Sequence, residues 1–182
     1  MKLRIETIDN KSKDIKQIKK ILQSSFPKEE RMPFFMMLLL SKTPHMEFLS
    51  FYDHNTLCGF VYLAKDSNIT FIIFLAVEET LRSKGYGSTI LQEIQQRYPN
   101  HKIILYIDRC DIICPDQEKR YQRKQFYLKN GFVETGYLTK STKEYQEILI
   151  KNGSFDQSEF ASILKKSSNG MLKLNIIEKE KS

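Results

Sequence analysis

Apolar positions along the chain switch repeatedly between a two-residue and a 3.6-residue period. Residues 3–8, Leu-Arg-Ile-Glu-Thr-Ile, alternate and predict a first strand. Ile15, Ile18 and Leu22 then fall at i, i+3 and i+7, which predicts a helix over residues 14–25 with Ser12 as its N-cap. A break from Pro27 to Pro33 leads into a short, almost wholly apolar helix over residues 34–41, whose first turn suits Pro33. Residues 47–52 and 57–64 read as strands joined by a hairpin-like turn, Asp53-His54-Asn55-Thr56. A turn at Asp66-Ser67-Asn68 feeds an apolar strand over residues 69–77. A helix follows to about residue 97, then a β-branched strand over residues 101–107 that should run parallel to the 69–77 strand. A charged helix over residues 117–129 stops at Asn130-Gly131, where positive φ is tolerated. Closing strands over 132–137 and 144–150 precede a helix over 157–166 that starts with the capping-box-like Asp156-x-x-Glu159. Residues 1–166 form one domain on this pattern. Residues 167–182 are polar and lysine-rich apart from 171–177, and are expected to be a loosely ordered tail.

The junction between the 69–77 strand and the next helix carries the chemistry. Residues 77–88 hold two glycines and two cations, just ahead of Ile90, Leu91 and Ile94 on one helical face. The first N–H groups of a helix have no internal partner and point outward with the positive end of the dipole. Gly85 and Gly87 remove side chains that would keep a pyrophosphate off those amides, and Arg82 and Lys84 add charge. This is a phosphate-holding turn. It matches neither G-x-x-x-x-G-K-[ST] nor G-x-G-x-x-G, whose third glycine would fall at Ile90.

Arg82-x-x-Gly85-x-Gly87 resembles the central acyl-CoA-binding motif, R/Q-x-x-G-x-G/A, of the GNAT acetyltransferase superfamily. Phe126-Tyr127-Leu128-Lys129-Asn130-Gly131-Phe132 resembles its second signature, a helix ending in [LF]-Y-x-x-x-G-F. The two lie in the family's order, one strand and one helix apart, and the resemblance covers residues 57–137. Two positions depart from it. Arg120 stands where many members carry an asparagine that contacts the cofactor, and Arg123 where a small residue is usual. Either arginine is a candidate for the cofactor's phosphates.

The resemblance implies a mixed α/β sheet, mostly antiparallel and splayed at a central parallel strand pair, with helices on both faces. The cofactor implied is acetyl-CoA. Its pantetheine arm would bond the main chain of Leu75, Ala76 and Val77 like an added strand, and its pyrophosphate would lie on Arg82, Ser83, Lys84, Gly85, Tyr86, Gly87 and Ser88. Arg123 and Phe126 complete the expected cofactor contacts. By the same resemblance, transfer is direct, a backbone N–H near Val77 polarises the thioester carbonyl, and Tyr127 is the general acid for the thiolate. A phenol pKa near 10 is matched to a thiol's near 8.5. Glu30, in the break that typically borders the family's acceptor site, and Asp108, at the end of the parallel strand, are the chosen bases ahead of Glu29, Glu78 and Glu79. Phe34, Phe35, Tyr52 and Tyr137, with Tyr145, are the expected lining of an acceptor pocket, because aromatic rings beside carboxylates suit a cationic amine. For Tyr127 the alternative is a packed core tyrosine; for residues 34–40 it is an ordinary buried helix.

Composition narrows the classes. The chain has 182 residues, 41% hydrophobic and 28% charged, as a globular domain does. It shows no apolar run long enough to span a bilayer and no apolar leader after Met1, so neither a membrane nor secretion is expected. Three cysteines, Cys58, Cys110 and Cys114, suit a reducing cytoplasm, and Cys110-x-x-x-Cys114 lacks the second pair a metal site needs. The net charge of +7 is dispersed over helix faces rather than gathered into a nucleic-acid footprint, and no RNA- or DNA-binding signature accompanies it. The expectation is an acetyl-CoA-dependent N-acetyltransferase, monomeric or homodimeric, acting on a primary amine of a small molecule or peptide. The alternatives are a non-catalytic CoA-binding regulatory module on the same fold and, behind it, a basic nucleic-acid-binding protein.

Overall fold

The computed structural model describes residues 2–140, 144–167 and 175–179. A single eight-stranded sheet runs in the order β1-β2-β3-β4-β5-β7-β6-β8. The first four strands, β1 (Arg4–Thr7), β2 (Met46–Asp53), β3 (Thr56–Asp66) and β4 (Ile69–Val77), form an antiparallel meander. β5 (Lys102–Asp108) joins β4 in parallel. β7 (Tyr145–Lys151) then pairs antiparallel with both β5 and β6 (Val133–Lys140). The mixed sheet with its central parallel pair is the fold expected from the sequence.

Helices cover both faces because the strands are apolar on both. On one face, α1 (Ile15–Ser25), α2 (Phe34–Leu40) and α5 (Gln157–Ser167) bury Ile18, Met37 and Phe160 against Phe48, Phe60 and Phe71. On the other, α3 (Tyr86–Arg97) and α4 (Gln117–Lys129) bury Ile90, Ile94 and Tyr127 against Val61, Leu105 and Ile107. Among the described residues, no helix is long and apolar enough to cross a membrane.

Three local details differ from the sequence pattern. Ser12 does not cap α1: its hydroxyl donates to Asp9 Oδ1 at 3.1 Å, and Asp14 takes the N-cap position without a side-chain bond. Asp156 does cap α5, accepting from the Glu159 N–H at 2.9 Å, but the Glu159 carboxylate reaches Lys102 Nζ at 2.6 Å instead of closing a capping box. Finally, Asn175–Glu178 of the expected tail form β8, antiparallel to β6, so the sheet extends beyond the boundary at residue 166. Residues 168–174 and 180–182 of that tail lie outside the described residues.

One irregularity shapes the centre of the sheet. Tyr62 pairs with Phe74 and the next residue, Leu63, with Ile72, which leaves Ile73 as an extra residue on β4. Such a bulge bends and twists its strand. It also changes side-chain parity, so that Phe71 and Phe74 share a face although they stand three positions apart. An unbroken apolar run gives no sign of it.

Candidate active site

The parallel pairing of β4 with β5 covers only Ile69–Phe71 against 102–104. Beyond it β4 stays with β3 as far as Val77, while β5 stays with β7 as far as Asp108. The two strands part just where Ile73 bulges. Among the described residues, no strand pairs with the facing edges of residues 72–77 and 105–108. Between them opens a slot of about 280 Å³, walled by Leu75, Ala76 and Val77 of β4, Tyr106 and Ile107 of β5, and Phe26 at the end of α1. Backbone amides without partners call for a ligand with amides of its own, laid along the edge like a strand.

At the slot's end the chain makes the turn into α3. Gly85 adopts φ 86°, a left-handed conformation natural to glycine, and is the N-cap of α3 with no side-chain cap bond. The Thr89 N–H donates to Gly85 O at 3.0 Å, so the N–H groups of Tyr86, Gly87 and Ser88 precede the first helical bond and remain available. Tyr86 pins this turn by donating to Asp53 Oδ2 at 2.8 Å. Ser83, Lys84 and Gly85 are exposed. Arg82 turns back instead of over the turn: Nε donates to Val77 O at 3.2 Å and Nη2 to Ser25 Oγ at 3.2 Å, beside the slot. Open amides at an uncapped helix start, next to an unpaired strand edge, fit the pyrophosphate and pantetheine of coenzyme A.

Tyr127 also lines the slot, its ring between Phe126 at 5.0 Å and Phe132 at 5.6 Å. Burial raises its pKa, with Arg123 acting in the opposite sense. Glu30 and Asp108, far apart in sequence, share a second pocket of about 210 Å³ with Glu29, Arg120, Glu144 and Gln146. Burial raises the Glu30 pKa, and the Asp108 carboxylate raises it further against the pull of Arg123 and Arg120. Asp108 is held by Gln146 Nε2 at 3.0 Å and by Arg123 Nη1 at 3.4 Å. Arg123 thus lines the slot and, through Asp108, reaches the carboxylate pocket. Arg120 is committed elsewhere, to Asp116 at 3.1 Å and Glu144 at 2.8 Å.

The aromatic residues expected to line an acceptor pocket are not brought together. Phe34 packs on Phe48 at 5.7 Å. Phe35 is 70% exposed and borders a different groove, beside Thr7 and Leu39. Tyr52 is a core residue, 1% exposed, whose hydroxyl donates to Asp14 Oδ2 at 3.0 Å. Tyr137 lies against Phe155 at 5.2 Å, and Tyr145 under Lys140. The four Phe and Tyr side chains at 34, 35, 52 and 137 line neither the slot nor the carboxylate pocket. Glu78 caps the short turn after β4 through the Glu79 N–H and takes Gln17, and neither Cys110 nor Cys114 lines the slot. Sequence reasoning missed Phe26, Gln146 and Tyr106. Tyr106 alone left a trace, as the only phenol in an otherwise aliphatic strand.

A splayed parallel pair whose slot ends on an open helix N-terminus defines a coenzyme-A-dependent transferase. Residues 44–134, half of the chain, match the family model described as an acetyltransferase (GNAT) domain, and the chain belongs to that family, whose acyl donor is acetyl-CoA. No curated protein matches the sequence. Solved structures share the fold at low identity. A putative GNAT-family acetyltransferase from Bacteroides thetaiotaomicron superposes with TM-score 0.75 at 18% identity, covering 93% of this chain and 99% of that one. The ribosomal-protein-S18-alanine N-acetyltransferase from Escherichia coli gives 0.62 at 13%, covering 85% and 96%. The PaiA N-acetyltransferase from Thermoplasma acidophilum, in complex with coenzyme A, gives 0.56 at 18%, covering 83% and 99%.

Proposed function

We propose that this acetyltransferase passes the acetyl group directly to a primary amine of a small molecule or a peptide. The observation that carries the reading is the pairing of Glu30 with Asp108 in a pocket bordering the donor slot, with Glu30 more basic than an ordinary carboxylate. An amine arrives mostly as an ammonium ion and must lose a proton before it attacks. A carboxylate of raised pKa, close to a second one, is suited to receive it.

Acetyl-CoA supplies the acetyl group on a thioester with a thiolate leaving group. Leu75, Ala76 and Val77 orient it along the β4 edge, and the N–H groups of Tyr86, Gly87 and Ser88 hold its pyrophosphate. Ser83, Lys84 and Arg123 add contacts or charge along that path. Arg82 orients the Val77 carbonyl end of the slot. Tyr127 holds a proton at Oη for the departing sulfur, and Phe126 and Phe132 fix its ring. Glu30 accepts the ammonium proton, and Asp108, anchored by Gln146 and Arg123, keeps the pocket negative. Direct transfer is supported by the cysteines: neither Cys110 nor Cys114 borders the slot, and desolvation and Asp116 raise the Cys114 thiol pKa, disfavouring a thiolate.

A screen of primary amines, reading release of free CoA with a thiol dye, tests the reading. Release with an amine, absent with the matching alcohol, is expected. Binding of acetyl-CoA without release by any amine would instead favour the regulatory module.

A further inference from the structure

A second phenol borders the donor slot, on the opposite face of the sheet from Tyr127. Tyr106 stands two residues beyond the last rung joining β5 to β4, and its side chain lines the open part of the slot. Its ring packs on Phe71 at 5.4 Å, on the face of α1, α2 and α5, whereas Tyr127 packs with Leu105 and Ile107 on the face of α3 and α4. Asp108 follows at i+2, so the period of the strand puts it on the Tyr106 face, toward the carboxylate pocket.

The charged groups around this phenol come from several elements. Glu30, from the segment between α1 and α2, and Asp108, from β5 itself, bear on its hydroxyl. Arg123 and Arg120 of α4, and Glu144 ahead of β7, act on Glu30 in turn. Burial first, then the two carboxylates, push the Tyr106 hydroxyl up to about 12, so it stays a neutral phenol at any working pH. Among the described residues it has no hydrogen-bond partner, although a partly buried phenol is better placed with one. It stands where the slot meets the two carboxylates.

We propose that Tyr106 positions the acceptor: its Oη accepts a hydrogen bond from the incoming ammonium group, whose other N–H groups face Glu30 and Asp108, and so seats the nitrogen at the border of the two cavities. Tyr127 serves the leaving sulfur from one face of the sheet, and Tyr106 the arriving nitrogen from the other. The inference rests on the amine-acceptor reading above.

The test is Tyr106→Phe, which keeps the ring, with Tyr62→Phe as control. Tyr62 is another buried phenol of the same face whose hydroxyl lacks a partner, but it lies away from the slot. Steady-state turnover is measured with n-butylamine, 1,4-diaminobutane and an alanine-led tripeptide amide, together with acetyl-CoA KM and the melting temperature with and without acetyl-CoA. Tyr106→Phe is expected to raise the amine KM about tenfold while acetyl-CoA KM and its thermal shift stay at wild-type values, and Tyr62→Phe to leave all three unchanged. An unchanged amine KM in Tyr106→Phe, or equal losses for amine and acetyl-CoA, overturns the proposal. Wild-type protein that is stabilised by acetyl-CoA yet releases no CoA with any of the three amines overturns the amine reading itself, a result visible before any variant is made.

Discussion

A methyl group built on Gly87 would lie 3.0 Å from the tip of the Phe126 ring. The second glycine of the turn therefore does two jobs. It leaves the helix start bare for a phosphate, and it lets the first turn of α3 approach the last turns of α4. The two motifs recognised in the sequence meet at this contact.

Because the obstructing atom is the far end of a side chain, Gly87→Ala should be tolerated by the fold. The better helix propensity of alanine, worth up to about 1 kcal/mol, offsets the displaced ring. The melting temperature of the free protein is expected to stay within a few degrees of wild type, while the rise caused by acetyl-CoA shrinks. Gly87→Trp should abolish that rise. A full acetyl-CoA shift in Gly87→Trp would remove the pyrophosphate from this turn.

Tyr127→Phe keeps the ring packed between Phe126 and Phe132 and deletes only the hydroxyl. If that hydroxyl supplies the proton to the thiolate, kcat falls by about 10²-fold or more, while acetyl-CoA KM holds. A variant with wild-type kcat would return Tyr127 to the role of a core residue.

The Glu30 carboxyl titrates above its ordinary value because burial and Asp108 disfavour its charge. If Glu30 is the base, as proposed, it is active only when ionised, so kcat/KM for the amine should drop as pH falls through that raised value, and Glu30→Gln should flatten this limb and lower the plateau. For stability the sign is reversed. A carboxyl whose folded pKa is raised favours the fold while protonated, and that advantage is lost as pH rises through the folded pKa. Glu30→Gln should therefore raise the melting temperature at pH 8 and not at pH 4. A melting temperature lowered at pH 8 would show that the ionised carboxylate is stabilising.

Glu147 on β7 is 4% exposed and is gripped by Lys124 of α4 at 2.6 Å and by Lys179, just after β8, at 3.4 Å. Removing one partner of a buried pair leaves charge stranded. Lys124→Met is expected to cost about 3 kcal/mol in urea unfolding, and Glu147→Gln in the same chain to restore part of it. Loss of less than the error of the measurement would mean that Lys179 alone suffices.

Strands, helices and the parallel pair were legible in the sequence because period and turn chemistry agree there. Asn130-Gly131 illustrates this, with Gly131 at φ 83° just past α4. The donor side of the site was legible for a related reason: glycines and cations at a strand–helix junction have few other uses. The acceptor side was not. Tyr52 looked like a pocket residue from its neighbours in sequence, but an aromatic residue on the covered face of a strand paired on both edges is fixed by burial, and Asp14 satisfies its hydroxyl. Glu30 and Asp108 were found one at a time, and only folding shows that they share a pocket with Gln146. Tyr106 stayed hidden because half of an apolar strand's side chains point to each face, and nothing in the pattern says which face opens.

The extra residue at Ile73 works as a phase shift. Upstream of it β4 keeps step with both neighbours; downstream it keeps step with β3 alone and leaves β5 behind. Deleting that one residue would make the 63–72 and 62–74 rungs consecutive, leave Leu75 and Val77 on the face they already occupy, and remove the bend that turns β4 away from β5. The opening of the slot is thus set by a single surplus position in the chain, at an aliphatic residue that carries no polar group.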